Sequence, residues 1–226
     1  MQHDAPISPL RKPPRLSRRK VWLGAVLIVS SVFHSWALAA EAVAVSGSVA
    51  GPTTAATRRT QALIVAAEAG DPQVQYILGL CFKSGRGVSR NPSEAVRWLG
   101  KAAGKGLSAA QYALGCCYNG EDGFARNPAL AVAWWEKAAE QGHAEAQYCL
   151  ALSYFVGEGT IQCRTDAVKW WTKAAEQNHA EAQYYLGVCY YHGIGVPKAT
   201  DQAVFWLNKA LAGGSSEATA LLARIK

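Results

Sequence analysis

The residues of this 226-residue chain best suited to chemistry are six cysteines, five histidines and a single Ser-x-x-Lys. The last, Ser17 to Lys20, has the spacing of a penicillin-type serine mechanism, but it sits in a basic N-terminal segment outside any expected domain. Neither Gly-x-Ser-x-Gly nor His-Glu-x-x-His occurs, so neither an esterase-type nucleophile elbow nor a helical zinc site is encoded. His143 and His179 stand 36 residues apart, in Gly-His-Ala-Glu and Asn-His-Ala-Glu, and read as turn residues fixed by a repeat. A metal would need further ligands at suitable spacing, and the sequence supplies none. No cofactor motif is present either. Gly85-Arg86-Gly87, Gly157-Glu158-Gly159 and Gly193-Ile194-Gly195 lack the preceding strand and third glycine of a dinucleotide fingerprint; they read as helix terminators.

The elements that would position any site follow from that spacing of 36. Gln-Tyr recurs at Gln75-Tyr76, Gln111-Tyr112, Gln147-Tyr148 and Gln183-Tyr184. Stacked at this period, one column reads Leu78, Leu114, Leu150, Leu186 and the next Gly79, Gly115, Ala151, Gly187. An aromatic column reads Phe82, Tyr118, Tyr154, Tyr190, and a tryptophan column Trp98, Trp134, Trp170, Trp206. Lys101, Lys137, Lys173 and Lys209 close the rows, each followed by alanine. Such self-similarity marks a repeat architecture.

Each row holds two helical patterns. In the third row the first runs from about Ala144 to Val156, with Ala146, Leu150 and Tyr154 along one apolar stripe. The second runs from about Asp166 to Gln177, where the tryptophans should face the core. Asn91-Pro92 and Asn127-Pro128 open second helices, and Thr165-Asp166 and Thr200-Asp201 substitute for them in the last two rows. Thr60 to Gly70 matches the second-helix columns, and Ser215 to Ile225 the first-helix columns. The expected fold is all-α: a right-handed α/α solenoid of 36-residue helix pairs, with four full repeats, an N-terminal half-unit and a C-terminal capping helix.

The pattern of Ala180-Glu181-Ala182-Gln183-Tyr184-Tyr185-Leu186-Gly187, joined to that of Ala131-Val132-Ala133-Trp134-Trp135-Glu136-Lys137-Ala138-Ala139-Glu140-Gln141-Gly142, resembles the Sel-one-like repeat, a tetratricopeptide-like family. The resemblance covers residues 57–226. It implies a non-catalytic scaffold or adaptor that binds a protein or peptide segment on the concave face lined by the first helices. The partner-binding residues would be Tyr76, Tyr112, Tyr148 and Tyr184, a tyrosine ladder, with Lys83, Asn119, Phe155 and Tyr191 varying between rows to set specificity. The tyrosines could equally be consensus residues that pack between units. Exported cysteine-rich members of the family pair one disulfide per repeat; the corresponding positions, Ala139 with Gln147 and Ala175 with Gln183, carry no cysteine here. That absence weakens the alternative function, a cell-wall or β-lactam hydrolase.

The cysteines themselves divide by column. Cys81, Cys117 and Cys189 share one column facing the core, where equivalent atoms of stacked helices lie about 9–10 Å apart, too far for a disulfide. They read as buried thiols. Cys116 and Cys149 are better placed to bond across units, and Cys163 lies in the loop before a second helix.

The first forty residues are different material. Arg11, Lys12, Arg15, Arg18, Arg19 and Lys20 precede an apolar run from Val21 to Ala40, which ends in Ala37-Leu38-Ala39. Residues 1–40 are expected to be a signal peptide or, if uncut, a signal anchor, followed by a flexible linker over 41–56. Ser17-Arg18-Arg19 also resembles the start of a twin-arginine signal. The expected location is exported, periplasmic or secreted, with membrane contact only through the N-terminal segment. The formal charge of +7 is mostly this segment. The remaining 17 basic and 15 acidic residues leave +2, which gives no basis for nucleic-acid binding.

Overall fold

The structure, a computed structural model, describes residues 55–225, and the expected signal segment and nearly all of the expected linker lie outside them. The described residues form ten α-helices and one 3-10 turn, with no strand. A half-unit helix, α1 (Ala55–Glu68), precedes four pairs: α2 (Pro72–Ser84) with α3 (Pro92–Gly104), α4 (Ser108–Tyr118) with α5 (Pro128–Glu140), α6 (Ala144–Val156) with α7 (Arg164–Glu176), and α8 (Ala180–His192) with α9 (Thr200–Ala212). A final helix, α10 (Ser216–Ile225), follows the last pair. From α2 onward each helix packs on its neighbours in sequence, within its pair and onto the next, as a solenoid requires.

The helix starts are set by side chains and by the loops before them. Asp71 accepts from the amides of Gln73 and Val74 at 2.7 and 3.2 Å. Asn91 and Asn127 cap α3 and α5 through Glu94 N and Leu130 N, both at 3.2 Å. The expected substitutes Thr165-Asp166 and Thr200-Asp201 are not the caps. Helix α7 begins at Arg164 and α9 at Thr200, so the cap positions are Cys163 and Ala199, and neither makes a side-chain cap bond. These positions continue the column of Asn91 and Asn127. All four amides donate to the carbonyl of the aromatic column: Asn91 to Phe82, Asn127 to Tyr118, Cys163 to Tyr154 and Ala199 to Tyr190, at 2.6–3.0 Å. This backbone bond fixes where the helix begins, and the asparagine side chain is an addition to it.

First helices end on glycine in the left-handed conformation at Gly85, Gly157 and Gly193. The second repeat departs: Gly120 takes that conformation instead, and Glu121–Gly123 forms the 3-10 turn with Asp122 at a φ of 53°.

The core runs both within pairs and between them, where Leu99 and Ala102 of α3 cluster with Ala113 and Cys117 of α4. Leu78, Leu114, Leu150 and Leu186 are buried. Beside them the small column lets the second helix approach: a Cβ added at Gly79 would stand 2.7 Å from Leu99, and one at Gly115 would stand 2.5 Å from Trp135. The tryptophan column is only partly core. Trp98 and Trp206 are buried, while Trp134 and Trp170 are half-buried. The innermost column is the next one, Leu99, Trp135, Trp171 and Leu207, because one residue on a helix turns the side chain by about 100°. On the outer side, Lys101, Lys137, Lys173 and Lys209 lie over Trp98, Trp134, Trp170 and Trp206 at 3.8–5.2 Å from the ring centres. The aromatic column Phe82, Tyr118, Tyr154 and Tyr190 is likewise half-buried.

All six cysteines are free thiols; Cys116, Cys117, Cys149 and Cys189 are buried and Cys81 and Cys163 half-buried. Burial pushes Cys117 up to about 11 and Cys189 up to about 12, which keeps both protonated and unreactive at neutral pH.

The two kinds of glycine give opposite expectations. Gly115→Ala forces a methyl into Trp135 and should destabilise the fold by about 1–3 kcal/mol. Gly100, in the interior of α3, has nothing within 4 Å of an added Cβ, so Gly100→Ala should stabilise by about 0.5–1 kcal/mol. Urea unfolding of both variants measures the contrast; equal shifts would refute the packing assignment of the small column.

Candidate partner-binding surface on the first helices

The glutamine of each Gln-Tyr pair is buried and sits in the joint between repeats. Gln75, Gln111, Gln147 and Gln183 donate Nε2 to the carbonyls of Ala67, Ala103, Ala139 and Ala175 at 3.0–3.2 Å. Those carbonyls belong to the last turn of the preceding second helix. At two joints the amide is also an acceptor: Gln141 Nε2 reaches Gln111 Oε1 at 2.7 Å, and Gln177 Nε2 reaches Gln147 Oε1 at 2.8 Å. One side chain thus ties three helices. The sequence marked these glutamines as the signature of the period without assigning them this role.

The tyrosines beside them are less open than a binding ladder requires. Tyr112 and Tyr148 are 6% and 4% exposed, and Tyr76 and Tyr184 are half-buried. Tyr112 stacks on His143 and Tyr148 on His179, with ring centres 4.8 and 4.7 Å apart. Each tyrosine therefore packs against the first residue of the next repeat's joint. Both histidines are N-caps: His143 Nδ1 accepts from Ala146 N at 3.4 Å and His179 Nδ1 from Ala182 N at 3.2 Å. An accepting Nδ1 requires the neutral ring with its proton on Nε2.

Lys83, the first of the row-to-row variable positions, is buried as well. Its ammonium meets Glu121 at 3.3 Å and Asp122 at 3.9 Å, in the turn of the next repeat. Burial pulls Lys83 down, but the charge around it, these two carboxylates included, holds it above the ordinary lysine value. It acts as a cross-repeat tie. Arg90 adds to this joint by donating to the Asp122 carbonyl, and Arg126 pairs with Glu158 at the next loop.

The remaining variable positions, Asn119, Phe155 and Tyr191, are half-buried. Phe155 joins an aromatic cluster that sequence reading did not find. Phe155 lies 5.3 Å from Trp171, Trp171 stacks on Tyr185 at 5.0 Å, and Tyr184 meets Tyr185 edge-on at 5.4 Å. Tyr185 occupies a column that is Ile77, Ala113 and Cys149 in the other rows, so the period gave it no prominence. Burial raises Tyr148 and Tyr185 above the ordinary tyrosine value, and both stay protonated donors at neutral pH.

Among the described residues, no three His, Cys, Asp or Glu side chains come together to hold a metal, and no helix is long and apolar enough to cross a membrane. A shallow depression of about 900 Å³ lies on the second-helix side of the third repeat, where Trp170, Tyr154 and Tyr190 contribute aromatic walls.

The model of the Sel1 repeat matches four times in succession, over residues 72–107, 108–143, 144–179 and 180–215. The chain belongs to the Sel1 repeat family. Each Sel1 repeat begins at a first helix and ends at the joint that the glutamine closes. The chain is similar to the crystal structure of a Sel1 repeat protein from Oxalobacter formigenes, at 34% identity and a TM-score of 0.68, over 75% of this chain and 49% of that one. It is also similar to c5321, a protective antigen present in uropathogenic Escherichia coli strains displaying an SLR fold, at 31% identity and a TM-score of 0.69, over 72% of this chain and 35% of that one. The chain thus spans half or less of either protein. No curated protein matches it. Sel1 repeat proteins are in general non-catalytic scaffolds for protein interaction.

Two outcomes test the joint. Gln147→Leu removes a donor from the Ala139 carbonyl and an acceptor from Gln177, and should cost about 1–3 kcal/mol in chemical unfolding; a neutral result would dismiss the amide as a tie. The second concerns pH. Burial holds His143 below the ordinary histidine value, against the opposing pull of Glu145 3.4 Å away. The unfolded chain then binds more protons than the folded one just below pH ~6.5, so this contribution is complete above that pH and fades as pH falls through the lowered value. His143→Asn keeps a cap without a titrating ring. Its urea midpoint should fall less than that of the parent between about pH 7.5 and about pH 5.

Proposed function

We propose that this Sel1 repeat protein is an exported adaptor of the cell envelope that holds a peptide or protein segment on the first-helix face of its last two repeats. The observation that carries the reading is the half-exposed aromatic surface of Phe155, Tyr184 and Tyr191: the first two pack against the stacked pair Trp171 and Tyr185, and Tyr191 shares the Val188 and Leu207 cluster with Tyr184. Aromatic side chains give large contact area with little conformational freedom to lose, and Tyr adds a hydrogen bond at its wet end. The surface is rigid, because its rings are packed into the joints, and rigidity lowers the entropy lost on binding. Export is supported by the basic region from Arg11 to Lys20, the apolar run after it and the Ala37-Leu38-Ala39 site.

Tyr112 and Tyr148 are unsuitable as probes, since truncating either removes a ring stacked on a capping histidine. Phe155→Ala with Tyr191→Ala trims the open side instead. Full-length protein used as bait on an envelope extract should retain a protein that the double variant loses by about tenfold or more, with helicity unchanged by circular dichroism. Identical retention by both baits would refute the assignment of the face.

A further inference from the structure

The depression of about 900 Å³ on the second-helix side draws its walls from three consecutive repeats. Glu136 stands on α5, Tyr154 on α6, Trp170, Lys173 and Glu176 on α7, and Tyr190 on α8. It shares no lining residue with the surface of Phe155, Tyr184 and Tyr191, and what it binds does not depend on the adaptor reading. Clefts of roughly 300–1,000 Å³ that combine aromatic walls with a few polar groups are the usual form of a small-ligand site.

The three rings are half-buried. Lys173 covers one face of Trp170, its ammonium 3.8 Å from the ring centre, which leaves Tyr154 and Tyr190 as the rings a ligand can stack on. These two hold the same place in neighbouring repeats, where packed helices stand about 9–10 Å apart. The polar rim carries both signs. The carboxylates of Glu136, Asp166 and Glu176 against the ammoniums of Lys169 and Lys173 leave one negative charge over the whole depression, and Asp166 and Lys169 are already paired at 2.8 Å. Burial raises Tyr154 above the ordinary tyrosine value, and Glu136 and Asp166 add to the effect; both carboxylates therefore lie near this ring, and its hydroxyl stays protonated.

The rings and the lysine recur in every row and serve the fold, but the two remaining carboxylates do not. The column of Glu136 reads Gly100, Thr172 and Asn208 in the other rows, and that of Glu176 reads Gly104, Glu140 and Ala212. Rings bordered by acceptors and donors, with almost no net charge, suit a ligand that is apolar on its face, hydroxylated at its edge and uncharged. A pyranose ring has this form. Its C–H bonds meet the negative face of an aromatic ring, and each hydroxyl can donate to a carboxylate while accepting from an ammonium. The separation of Tyr154 from Tyr190 calls for several such sugars in a chain.

We propose that this depression binds an uncharged oligosaccharide, with sugar rings stacked on Tyr154 and Tyr190 and hydroxyls held by Glu136, Glu176 and Lys173.

Isothermal titration calorimetry tests this on full-length protein, with oligomers of glucose, mannose and N-acetylglucosamine about five residues long. At least one should bind with a dissociation constant on the order of 1 mM or below. Tyr154→Ala should weaken it about tenfold. Glu136→Gln/Glu176→Gln changes only exposed side chains, so the fold is kept, and should weaken it by a similar factor. Glu140→Gln, exposed on the same helix as Glu136 but outside the depression, should leave it unchanged. If none of the uncharged oligomers binds, the inference is overturned. It falls as well if Glu136→Gln/Glu176→Gln weakens binding no more than Glu140→Gln does. Equal or tighter binding of oligogalacturonate or of chitosan oligomers, the anionic and cationic controls, would overturn the assignment of an uncharged ligand.

Discussion

The structure depends on one buried amide repeated four times. A helix leaves its last carbonyls without intrahelical partners, and in a stack of helices those carbonyls end up inside the joint, where water cannot serve them. The glutamine of each Gln-Tyr pair reaches eight residues back to such a carbonyl, at Ala67, Ala103, Ala139 and Ala175. The distance from one helix to the next, and with it the seating of Tyr on His and of Lys83 on Glu121, follows from that reach. An apolar residue of similar size would fill the space but leave the carbonyl orphaned, which explains why a polar side chain sits at 2–5% exposure in an otherwise apolar joint.

Much of this was legible in the residues. The period of Gln-Tyr gave the number of helix pairs, and α6 occupies the very span, Ala144–Val156, that its apolar stripe suggests. Asn-Pro and the glycines punctuate the helices as their backbone preferences demand. The misplaced features share a cause: a period says which residues are equivalent, not which way they point. Trp134 and Trp170 lie on the apolar stripe of their helices and so read as core, yet the next column is the inward one and the lysines cover their outer faces. Cys163 and Ala199 cap no helix by chemistry, because a backbone bond to Tyr154 or Tyr190 already places the turn.

The candidate site was less legible for the same reason. The tyrosine ladder is the repeat's own consensus, and consensus residues build joints: two of its four rings are spent on His143 and His179. What distinguishes one face of this scaffold from another lies in columns where the rows disagree. Tyr185 against Ile77, Ala113 and Cys149, and Glu145 against Gln73 and Ala109, are such columns. They make the first helices of the last two repeats differ from those of the first two. Lys83 shows the limit of that rule, since it also varies between rows and yet serves an ion pair in the interior.

The second amide at each joint follows a column of its own: Lys105, Gln141, Gln177 and Gly213. The middle two complete the three-helix tie, Lys105 turns instead to the Gly70 carbonyl while Gln75 Oε1 has no partner, and Gly213 has no side chain to offer. Adjacent repeats therefore do not grip equally, and the chain should breathe from its ends inward, with amide protons exchanging fastest beyond α8 and slowest around α5 and α6. The half-exposed aromatic surface straddles that gradient, from Phe155 on α6 to Tyr184 and Tyr191 on α8. A segment lying across it would act as a splint, binding more weakly than its contacts alone imply because it must first still a fraying end.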